Sequence, residues 1–302
     1  MIERGNNGNG VREAAAGDSS RQIAPEPGSL SLVLPMFNEA DSVEHTLEMA
    51  LRNLEPRFSS FEIVVVDDGS TDNCGAEVQQ WAARDSRIVF HRLERNSRFG
   101  GALRKGLALA SKEFVLYTDF DLPVPLDFFP RILAELQQAD VVTAYSPTIP
   151  KNLSWNTRLI SRTYNFLVRS AFGLELRDIN FGLKAMRKSM ADLLELRSCS
   201  PFVDAELFVQ TRRLGRRIAE IAVPFSPRLK GVSRIRRPDV IACTFLDMGR
   251  FFFHPRPKRR SSPHDSRGVP SQSQSQGQAG SALKNQLASQ VAAGAEESSR
   301  LK

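Results

Sequence analysis

Two short apolar runs that stop abruptly at carboxylates constrain the fold of this chain more than any other feature. Residues 61–72 read Phe-Glu-Ile-Val-Val-Val-Asp-Asp-Gly-Ser-Thr-Asp, and residues 114–122 read Phe-Val-Leu-Tyr-Thr-Asp-Phe-Asp-Leu. Runs of this kind are typical of strands buried on both faces of a parallel sheet. Because open α/β sheets bind ligands outside the carboxyl ends of their strands, we expect one crevice to gather four acids: Asp67, Asp68, Asp119 and Asp121.

Carboxylates at one rim repel one another unless a positive charge lies among them, and a divalent cation carrying an anionic ligand is the usual solution. The Asp-x-Asp at residues 119–121 presents two carboxylates from one edge of an extended segment, which suits Mg²⁺ or Mn²⁺ bound through few protein oxygens plus phosphates. Residues 68–72 also fit a simple turn with a helix N-cap, since Asp, Gly and Ser are the residues such turns use. Both interpretations stay open for that segment.

A third run, residues 30–39 (Leu-Ser-Leu-Val-Leu-Pro-Met-Phe-Asn-Glu), predicts another strand, ended by Pro35 because proline cannot continue a central ladder. The order of strand, polar turn and helix then recurs, with helices predicted over residues 41–54 and 73–84 and a strand over 87–93. Such alternation implies right-handed β-α-β crossovers. The predicted fold class is therefore α/β, a doubly wound, mostly parallel open sheet with helices on both faces.

In this order, the three segments resemble the signatures of inverting family 2 glycosyltransferases with the GT-A fold. A narrower similarity, to the dolichol-phosphate or polyprenyl-phosphate mannosyltransferase group, rests on residues 98–106 (Arg-Phe-Gly-Gly-Ala-Leu-Arg-Lys-Gly), 177–184 (Arg-Asp-Ile-Asn-Phe-Gly-Leu-Lys), 202–206 (Phe-Val-Asp-Ala-Glu) and 228–234 (Arg-Leu-Lys-Gly-Val-Ser-Arg). The resemblance covers roughly residues 30–253. It implies a GT-A-like domain that transfers a hexose from a nucleotide-diphospho-sugar, GDP-mannose or a UDP-sugar.

The resemblance also implies a donor site and a metal site. Asp119 and Asp121 would hold Mg²⁺ or Mn²⁺ that bridges the two phosphates of the donor. Base, ribose and phosphate contacts are implied for seven residues: Pro35, Glu39, Asp67, Asp68, Arg98, Arg228 and Arg234. One departure concerns Pro123, which stands where the group often has a polar side chain; proline offers no side-chain ligand, so water or the donor is expected to complete the metal shell.

The chemistry of the acceptor determines whether a further acidic residue is needed as a general base. An alcohol acceptor needs a general base, for which the matching segment offers Asp204 and Glu206. A polyprenyl or dolichyl phosphate is already ionised near neutral pH, so positioning and electrostatics suffice. Asp204 and Glu206 also fit a simple acid pair in the first turn of a helix. Asp178 resembles the acceptor-side aspartate of the family, and the implied catalytic set is Asp119, Asp121, Asp204, Glu206 and Asp178.

Composition predicts one catalytic domain over residues 29–253 between two disordered tails. Residues 1–28 and 254–302 are rich in Gly, Ser, Gln, Ala and Pro and poor in large apolar side chains. The N-terminus has no apolar signal region, and three scattered cysteines form no disulfide or metal pattern. These features favour a cytoplasmic protein with reduced thiols.

No run of the sequence approaches the roughly 18 to 20 apolar residues that span a bilayer. Residues 240–253, followed by a basic stretch at 256–260, fit either a helix at the cytoplasmic face of a membrane or a C-terminal core helix with a solvated tail. The net charge of +7 suits phosphate-bearing partners in general. Since the chain shows no RNA or DNA motif, we expect no nucleic-acid partner.

Three other protein classes fit parts of this sequence pattern. A signalling receiver domain would need residues 61–67 as its first strand, yet residues 30–34 precede them. A sugar-phosphate nucleotidyltransferase usually opens with a Gly-rich basic loop, which residues 35–39 lack. A non-catalytic relative that binds a nucleotide sugar is supported by Pro123 alone.

Overall fold

The structure is a computed structural model, and it describes residues 13–14, 28–147, 155–224 and 238–253. Arg228 and Arg234 lie outside the described residues, as do the predicted tails apart from residues 13–14 and 28. The predicted domain boundaries therefore stay a prediction.

The described residues form the strands β1 (Glu13–Ala14), β2 (Ser29–Met36), β3 (Ser60–Asp67), β4 (Ile88–Arg92), β5 (Phe114–Thr118), β6 (Val141–Tyr145), β7 (Leu183–Arg187) and β8 (Ile218–Ala222). They lie in one eight-stranded sheet with the order β1-β8-β6-β7-β5-β2-β3-β4. Neighbouring strands are parallel except where β7 runs antiparallel to both β5 and β6. This arrangement confirms the predicted mostly parallel, doubly wound sheet.

Helices cover both faces of the sheet, as predicted. The helices are α1 (Val43–Leu54), α2 (Cys74–Arg84), α3 (Arg98–Leu109), α4 (Phe129–Glu135), α5 (Trp155–Phe172), α6 (Lys188–Leu193), α7 (Phe202–Arg213) and α8 (Pro238–Phe253), with 3₁₀ turns at Ala40–Ser42 and Leu126–Phe128. One hydrophobic cluster holds apolar residues of α1, α2 and α4, and a second cluster holds those of α3, α5, α6 and α7 with part of α8.

Alternation along the central strands explains the two clusters. In β2, Leu32 and Leu34 belong to the first cluster while Val33 between them belongs to the second, and all three are fully buried. A strand that is covered on both faces needs an unbroken apolar run, because successive side chains point to opposite faces. The apolar runs in the sequence are therefore the central strands of the sheet.

The prediction that Pro35 ends its strand is wrong by one residue. In the ladder with β3, Pro35 pairs with Val66 and Met36 pairs with Asp67. On the other side, the ladder with β5 already ends at Val33. A residue without an N–H costs a strand least where the strand has a neighbour on one side only, so β2 continues through Pro35 to the rim.

Candidate active site

A cavity of about 500 Å³ lies at the carboxyl ends of β2, β3 and β5. Its lining includes seven of the residues predicted for donor, metal or catalytic roles: Pro35, Glu39, Asp68, Arg98, Asp119, Asp121 and Asp204. Three other predicted residues, Asp67, Asp178 and Glu206, are not part of that lining. The structure therefore brings most of the predicted site into one place.

Strand register produces this convergence. Met36 of β2 lies beside Asp67 of β3, and Val33 of β2 lies beside Tyr117 of β5. Because all three strands are parallel, the residues that follow them emerge at the same edge. Acids that are more than 50 residues apart in the chain thus reach one rim.

The adjacent acids Asp67 and Asp68 have different surroundings. Asp67 is fully buried; its Oδ1 accepts a hydrogen bond from the Ser70 N–H at 2.8 Å, and its Oδ2 lies 3.5 Å from Arg92 Nε. Asp68 faces the cavity, and its Oδ1 accepts from the N–H and the hydroxyl of Ser97 at 2.6 and 2.9 Å. Burial raises the pKa of Asp68, and the bonds from Ser97 partly oppose that shift. Asp67 therefore fixes the turn, whereas Asp68 is available to a ligand.

Two rim loops are tied together beside Pro35 and Glu39. The Asn38 N–H donates to Ser70 Oγ at 2.8 Å, and the Thr71 N–H donates to Asn38 Oδ1 at 2.7 Å. Asn38 has a φ of 52°, a left-handed conformation that Asn tolerates better than most residues. The segment that sequence alone left open as a simple turn is thus both a turn and a wall of the cavity.

The loop carrying Asp119 and Asp121 is held from two sides. Leu122, at a φ of 47°, closes a tight turn by donating its N–H to the Asp119 carbonyl at 3.1 Å. Thr46 of α1 donates its hydroxyl to the Phe120 carbonyl at 2.9 Å. Both acids are half-buried at the cavity wall, so their carboxylates are positioned before any ligand arrives.

Gly182 leaves room for the Asp119 carboxylate. A Cβ at Gly182 would lie 2.7 Å from Asp119 Oδ2 and 3.3 Å from Pro123 Cγ, both closer than ordinary contact. Pro123 is itself buried and does not line the cavity. Pro123, where this chain differs from the polyprenyl-phosphate mannosyltransferase group, is therefore a packing residue behind the Asp-x-Asp loop.

Arg98 begins α3 at the edge of the cavity and has a φ of 64°. Its guanidinium donates a hydrogen bond to Cys243 Sγ of α8. Two residues on, the Gly100 N–H donates to the Cys199 carbonyl at 2.9 Å, and a Cβ at Gly100 would meet the Ser198 carbonyl at 2.1 Å. Glycine at this position lets α3 approach the backbone of the 197–200 loop directly.

Asp204 lies in the first turn of α7, where it forms a buried ion pair with Lys184 of β7. Its other oxygen accepts a hydrogen bond from the Tyr117 hydroxyl at 2.7 Å. Lys184 also donates to the Phe181 carbonyl at 2.8 Å. Burial, with the charge of Asp204 adding to it, raises the pKa of Tyr117 well above its usual value. Both oxygens of Asp204 are therefore engaged at the cavity wall.

Glu206 faces away from the cavity lining and holds the loop that precedes α7. Its carboxylate accepts from the N–H groups of Arg197 and Ser198 at 3.0 and 2.8 Å. Asp247 of α8 accepts from the next two N–H groups, those of Cys199 and Ser200, at 3.0 Å each. Two carboxylates thus bind four consecutive backbone donors, which fixes the wall that Ser200 contributes to the cavity.

Asp178 lies behind the cavity, where its Oδ1 accepts from the Asn180 N–H at 3.2 Å. Burial raises the pKa of Asp178, and the nearby Lys184 charge opposes that rise. Asn180, its partner, does line the cavity. Asp178 is thus placed to orient a cavity residue.

The chain matches a known protein family over much of its length. The model of the family described as glycosyl transferase family 2 matches residues 31–194, more than half of the chain. The chain belongs to glycosyltransferase family 2. The predicted family and enzyme class are therefore confirmed.

This family 2 glycosyltransferase is similar to several curated proteins. It is 29% identical over 207 residues to glycosyltransferase AglD of Haloferax volcanii, which covers 66% of this chain and 33% of that protein. It is 30% identical over 208 residues to the undecaprenyl-phosphate 4-deoxy-4-formamido-L-arabinose transferase of Edwardsiella ictaluri, which covers 68% of this chain and 62% of that protein. The chain thus spans between about a third and about three fifths of the length of these relatives.

Solved structures agree on the fold. Glucosyl-3-phosphoglycerate synthase from Mycobacterium tuberculosis, in complex with Mn²⁺, UDP-glucose and phosphoglyceric acid, superposes with a TM-score of 0.58 at 21% identity, covering 76% of this chain and 82% of that one. The mannosyltransferase PcManGT from Pyrobaculum calidifontis, in complex with GDP-Man and Mn²⁺, gives 0.53 at 20% identity, covering 76% and 67%. At these identities the likeness shows the GT-A-like fold.

Sequence reasoning missed the roles of Thr46, Tyr117, Lys184 and Asp247 in this glycosyltransferase. Only Lys184 carried a signal, because a lysine next to Leu183 and Ala185 in a buried strand needs an acidic partner. Thr46, Tyr117 and Asp247 look ordinary in the sequence, since their partners lie 45 or more residues away.

Proposed function

We propose that the chain is an inverting hexosyltransferase that moves a sugar from GDP-mannose or a UDP-sugar to a polyprenyl or dolichyl phosphate, using Mg²⁺ or Mn²⁺. The observation that carries this proposal is that one cavity is lined by Pro35, Glu39 and Asp68 together with Asp119 and Asp121. We assign the first three residues to a nucleoside end of the site and the Asp-x-Asp pair to a phosphate end.

Donor binding divides between these two ends. Asp68 and Glu39 supply carboxylate acceptors for the N–H and O–H groups of a base and ribose. Arg98, which has a left-handed backbone conformation that costs a non-glycine residue on the order of 1–3 kcal/mol, supplies a cation for the diphosphate. Arg228 and Arg234 are proposed to add further phosphate contacts.

The residues at the phosphate end fit a divalent cation. Asp119 and Asp121 offer hard oxygen ligands, and Gly182 leaves the space that the Asp119 carboxylate occupies. Among the described residues, no group of three or more His, Cys, Asp or Glu is arranged to hold a metal. The proposed shell takes two carboxylates from the protein and its remaining ligands from the donor phosphates. When bound, the ion supplies Lewis-acid neutralisation of the departing nucleoside diphosphate.

The engagement of Asp204 supports a phosphate acceptor. One oxygen of Asp204 is paired with Lys184 and the other accepts from Tyr117, so both oxygens are already engaged within the protein. Glu206 is bound to backbone N–H groups outside the cavity lining. An acceptor that is already ionised needs neither acid as a general base, only an oxygen positioned on the face of the sugar opposite the leaving diphosphate.

The name of the Edwardsiella relative, an undecaprenyl-phosphate sugar transferase, agrees with a lipid-phosphate acceptor. Among the described helices, none combines the length and the apolarity needed to cross a bilayer. We propose a cytoplasmic enzyme that acts peripherally at the cytoplasmic face of a membrane, with no nucleic-acid partner.

A donor and acceptor screen tests the proposal. GDP-mannose and UDP-hexoses are each offered with Mg²⁺ or Mn²⁺, with undecaprenyl or dolichyl phosphate and with the matching lipid alcohols. We expect lipid-linked sugar only with the phosphates, and loss of turnover in Asp121→Ala. Asp127→Ala is the matched control, because Asp127 is an exposed surface acid paired with Arg57.

Transfer to the alcohols but not the phosphates would overturn the acceptor assignment. Pyrophosphate release from a nucleoside triphosphate and a sugar phosphate would instead identify a nucleotidyltransferase. Donor binding without turnover under every condition would identify a non-catalytic relative.

A further inference from the structure

Large hydrophobic side chains are exposed on only two of the described helices. Eight such side chains are exposed among the described residues, and all eight lie on α5 or α8. Single exposed apolar residues are normal on a soluble protein, but their confinement to two helices marks an interaction surface.

On α5 three of the four exposed hydrophobic residues form a stripe, and Ile160 lies outside it. Trp155, Leu159 and Phe166 stand four and eleven residues apart along the helix, so their side chains point within about 40° of one another. Tyr164 and Val168, which pack into the core, lie on the opposite side. Helix α5 is therefore apolar both toward the core and toward the outside.

On α8 the outward side is also apolar. Leu246 and Phe253 stand seven residues apart, and the exposed fraction of Phe253 is 76%. The C-terminal ends of α5 and α8 touch, because the Phe172 ring lies 5.7 Å from that of Phe251 and 5.9 Å from that of Phe252. The C-terminal ends of α5 and α8 therefore lie side by side.

We propose that this α5–α8 surface, formed by Trp155, Leu159, Phe166, Leu246, Phe252 and Phe253, docks on the surface of a bilayer that contains anionic lipids. The proposal extends the proposed function by naming the membrane-contacting face. It rests on exposure and charge, and it holds or fails independently of which sugar is transferred.

Charge selects the bilayer over other occupants. Helix α5 has no acidic residue, and of its three arginines Arg162 is exposed whereas Arg158 and Arg169 are half-buried. On α8, Arg250 is exposed, while Asp247 accepts hydrogen bonds from the backbone of the 197–200 loop. In the sequence, the end of α8 is followed within seven residues by four more basic residues at positions 256 and 258–260. Aromatic and aliphatic side chains beside arginines are the composition of helices that lie in an anionic lipid interface. A second copy would bring the same arginines together across a two-fold axis, which like charges oppose.

The same helix links this surface to the cavity. Asp239 and Val240, at the N-terminal end of α8, line the cavity, whereas Phe252 and Phe253 lie at its other end. At 1.5 Å per residue, the two ends are about 20 Å apart. A bilayer that contacts the α5–α8 surface is therefore within one helix length of the catalytic rim.

Trp155 provides a direct probe, since the chain has only two tryptophans and the other, Trp81, packs partly against the core on the opposite face of the sheet. In a Trp81→Phe background, we expect Trp155 emission to shift to the blue on adding phosphatidylcholine vesicles that contain phosphatidylglycerol. We expect the full chain to co-sediment with those vesicles at least about tenfold better than with phosphatidylcholine alone.

Phe252→Glu with Phe253→Glu should lower vesicle binding at least about tenfold, because two aromatic side chains lose their burial in lipid. The matched control is Gln79→Glu with Gln80→Glu, an exposed pair on α2, which adds the same charge on the far side of the sheet. Circular dichroism of both variants should match that of the parent, whereas the melting temperature of the Phe variant should fall slightly because Phe252 also packs against Phe172. Donor turnover in detergent serves as a separate readout of the proposed function.

Several results would overturn the proposal. They are absence of co-sedimentation by the full chain, an unshifted Trp155 emission, equal binding to both vesicle types, and equal loss in the control pair. A dimer that the Phe252 and Phe253 changes dissociate, without any vesicle binding, would assign the surface to a second copy instead.

Discussion

Gly182→Ala is the sharpest test of the metal end of the site. The added Cβ would lie 2.7 Å from Asp119 Oδ2, about 0.7 Å short of the 3.4 Å at which ordinary contact begins. The other neighbour, Pro123, is a buried ring 3.3 Å away that has little freedom to move. Gly182 is not among the described residues with positive φ, so alanine adds no backbone strain there. The adjustment therefore falls on the Asp119 carboxylate.

A displacement near 0.7 Å of a ligand-positioning group is large for catalysis. A shift of about 1 Å can cost on the order of a hundredfold, so we expect kcat/KM to fall about ten- to a hundredfold. That loss corresponds to roughly 1.4–2.7 kcal/mol of transition-state stabilisation. The folded state should lose only about 1 kcal/mol, because Asp119 is half-buried beside the cavity and can move into it.

Release of nucleoside diphosphate, measured while Mn²⁺ is titrated, checks this prediction. We expect the variant to need more metal for half-maximal rate, with a melting temperature close to that of the parent. Gly249→Ala is the matched control, because nothing lies within 4 Å of a Cβ at that position. Activity of Gly182→Ala within twofold of the parent at every metal concentration would refute the reasoning that the Asp119 position controls turnover.

Three further substitutions probe the rest of the site. Lys184→Met leaves Asp204 buried without its cation and should cost about 3–5 kcal/mol of unfolding free energy in urea, with partial recovery on adding Asp204→Asn; additive losses would contradict the pairing. Burial raises the pKa of Asp178, so its favourable contribution is present at acid pH and lost as pH rises through the raised value. Asp178→Asn should therefore melt higher than the parent near neutral pH, with the gap closing toward about pH 4; a gap that does not change with pH would count against a buried Asp178. Glu206→Gln should lower stability by about 1–3 kcal/mol while the shape of the pH–rate profile is kept, whereas a lost limb in that profile would restore Glu206 as a general base.

Strand-level features were predictable because burial on both faces leaves a direct mark on the sequence. Residues 61–67 and 114–118 form β3 and β5 within one residue of the predicted bounds. Pro35 was misjudged because its effect depends on how many neighbours β2 has at that point, which is a property of the sheet.

For the acidic residues too, the sequence predicted the location but not the individual role. Their place at strand ends predicted a shared rim for Asp68, Asp119 and Asp121, since parallel strands end together. The sequence did not distinguish Asp67 from Asp68 as a donor-binding residue, nor Asp204 from Glu206 as a candidate general base. Only the hydrogen-bond partners of these side chains in the folded protein distinguish the two members of each pair.

By itself, the sequence determined the layered α/β architecture, the family and the rim where the candidate site lies, because these follow from local apolar patterning and from the order of short motifs. The tertiary structure alone decided that Asp204 is paired with Lys184, that Glu206 and Asp247 together hold the 197–200 loop, and that α5 and α8 share an outward apolar surface. Those outcomes depend on contacts between segments far apart in the chain, and no local pattern encodes which distant partner a buried charge or an exposed helix face will meet.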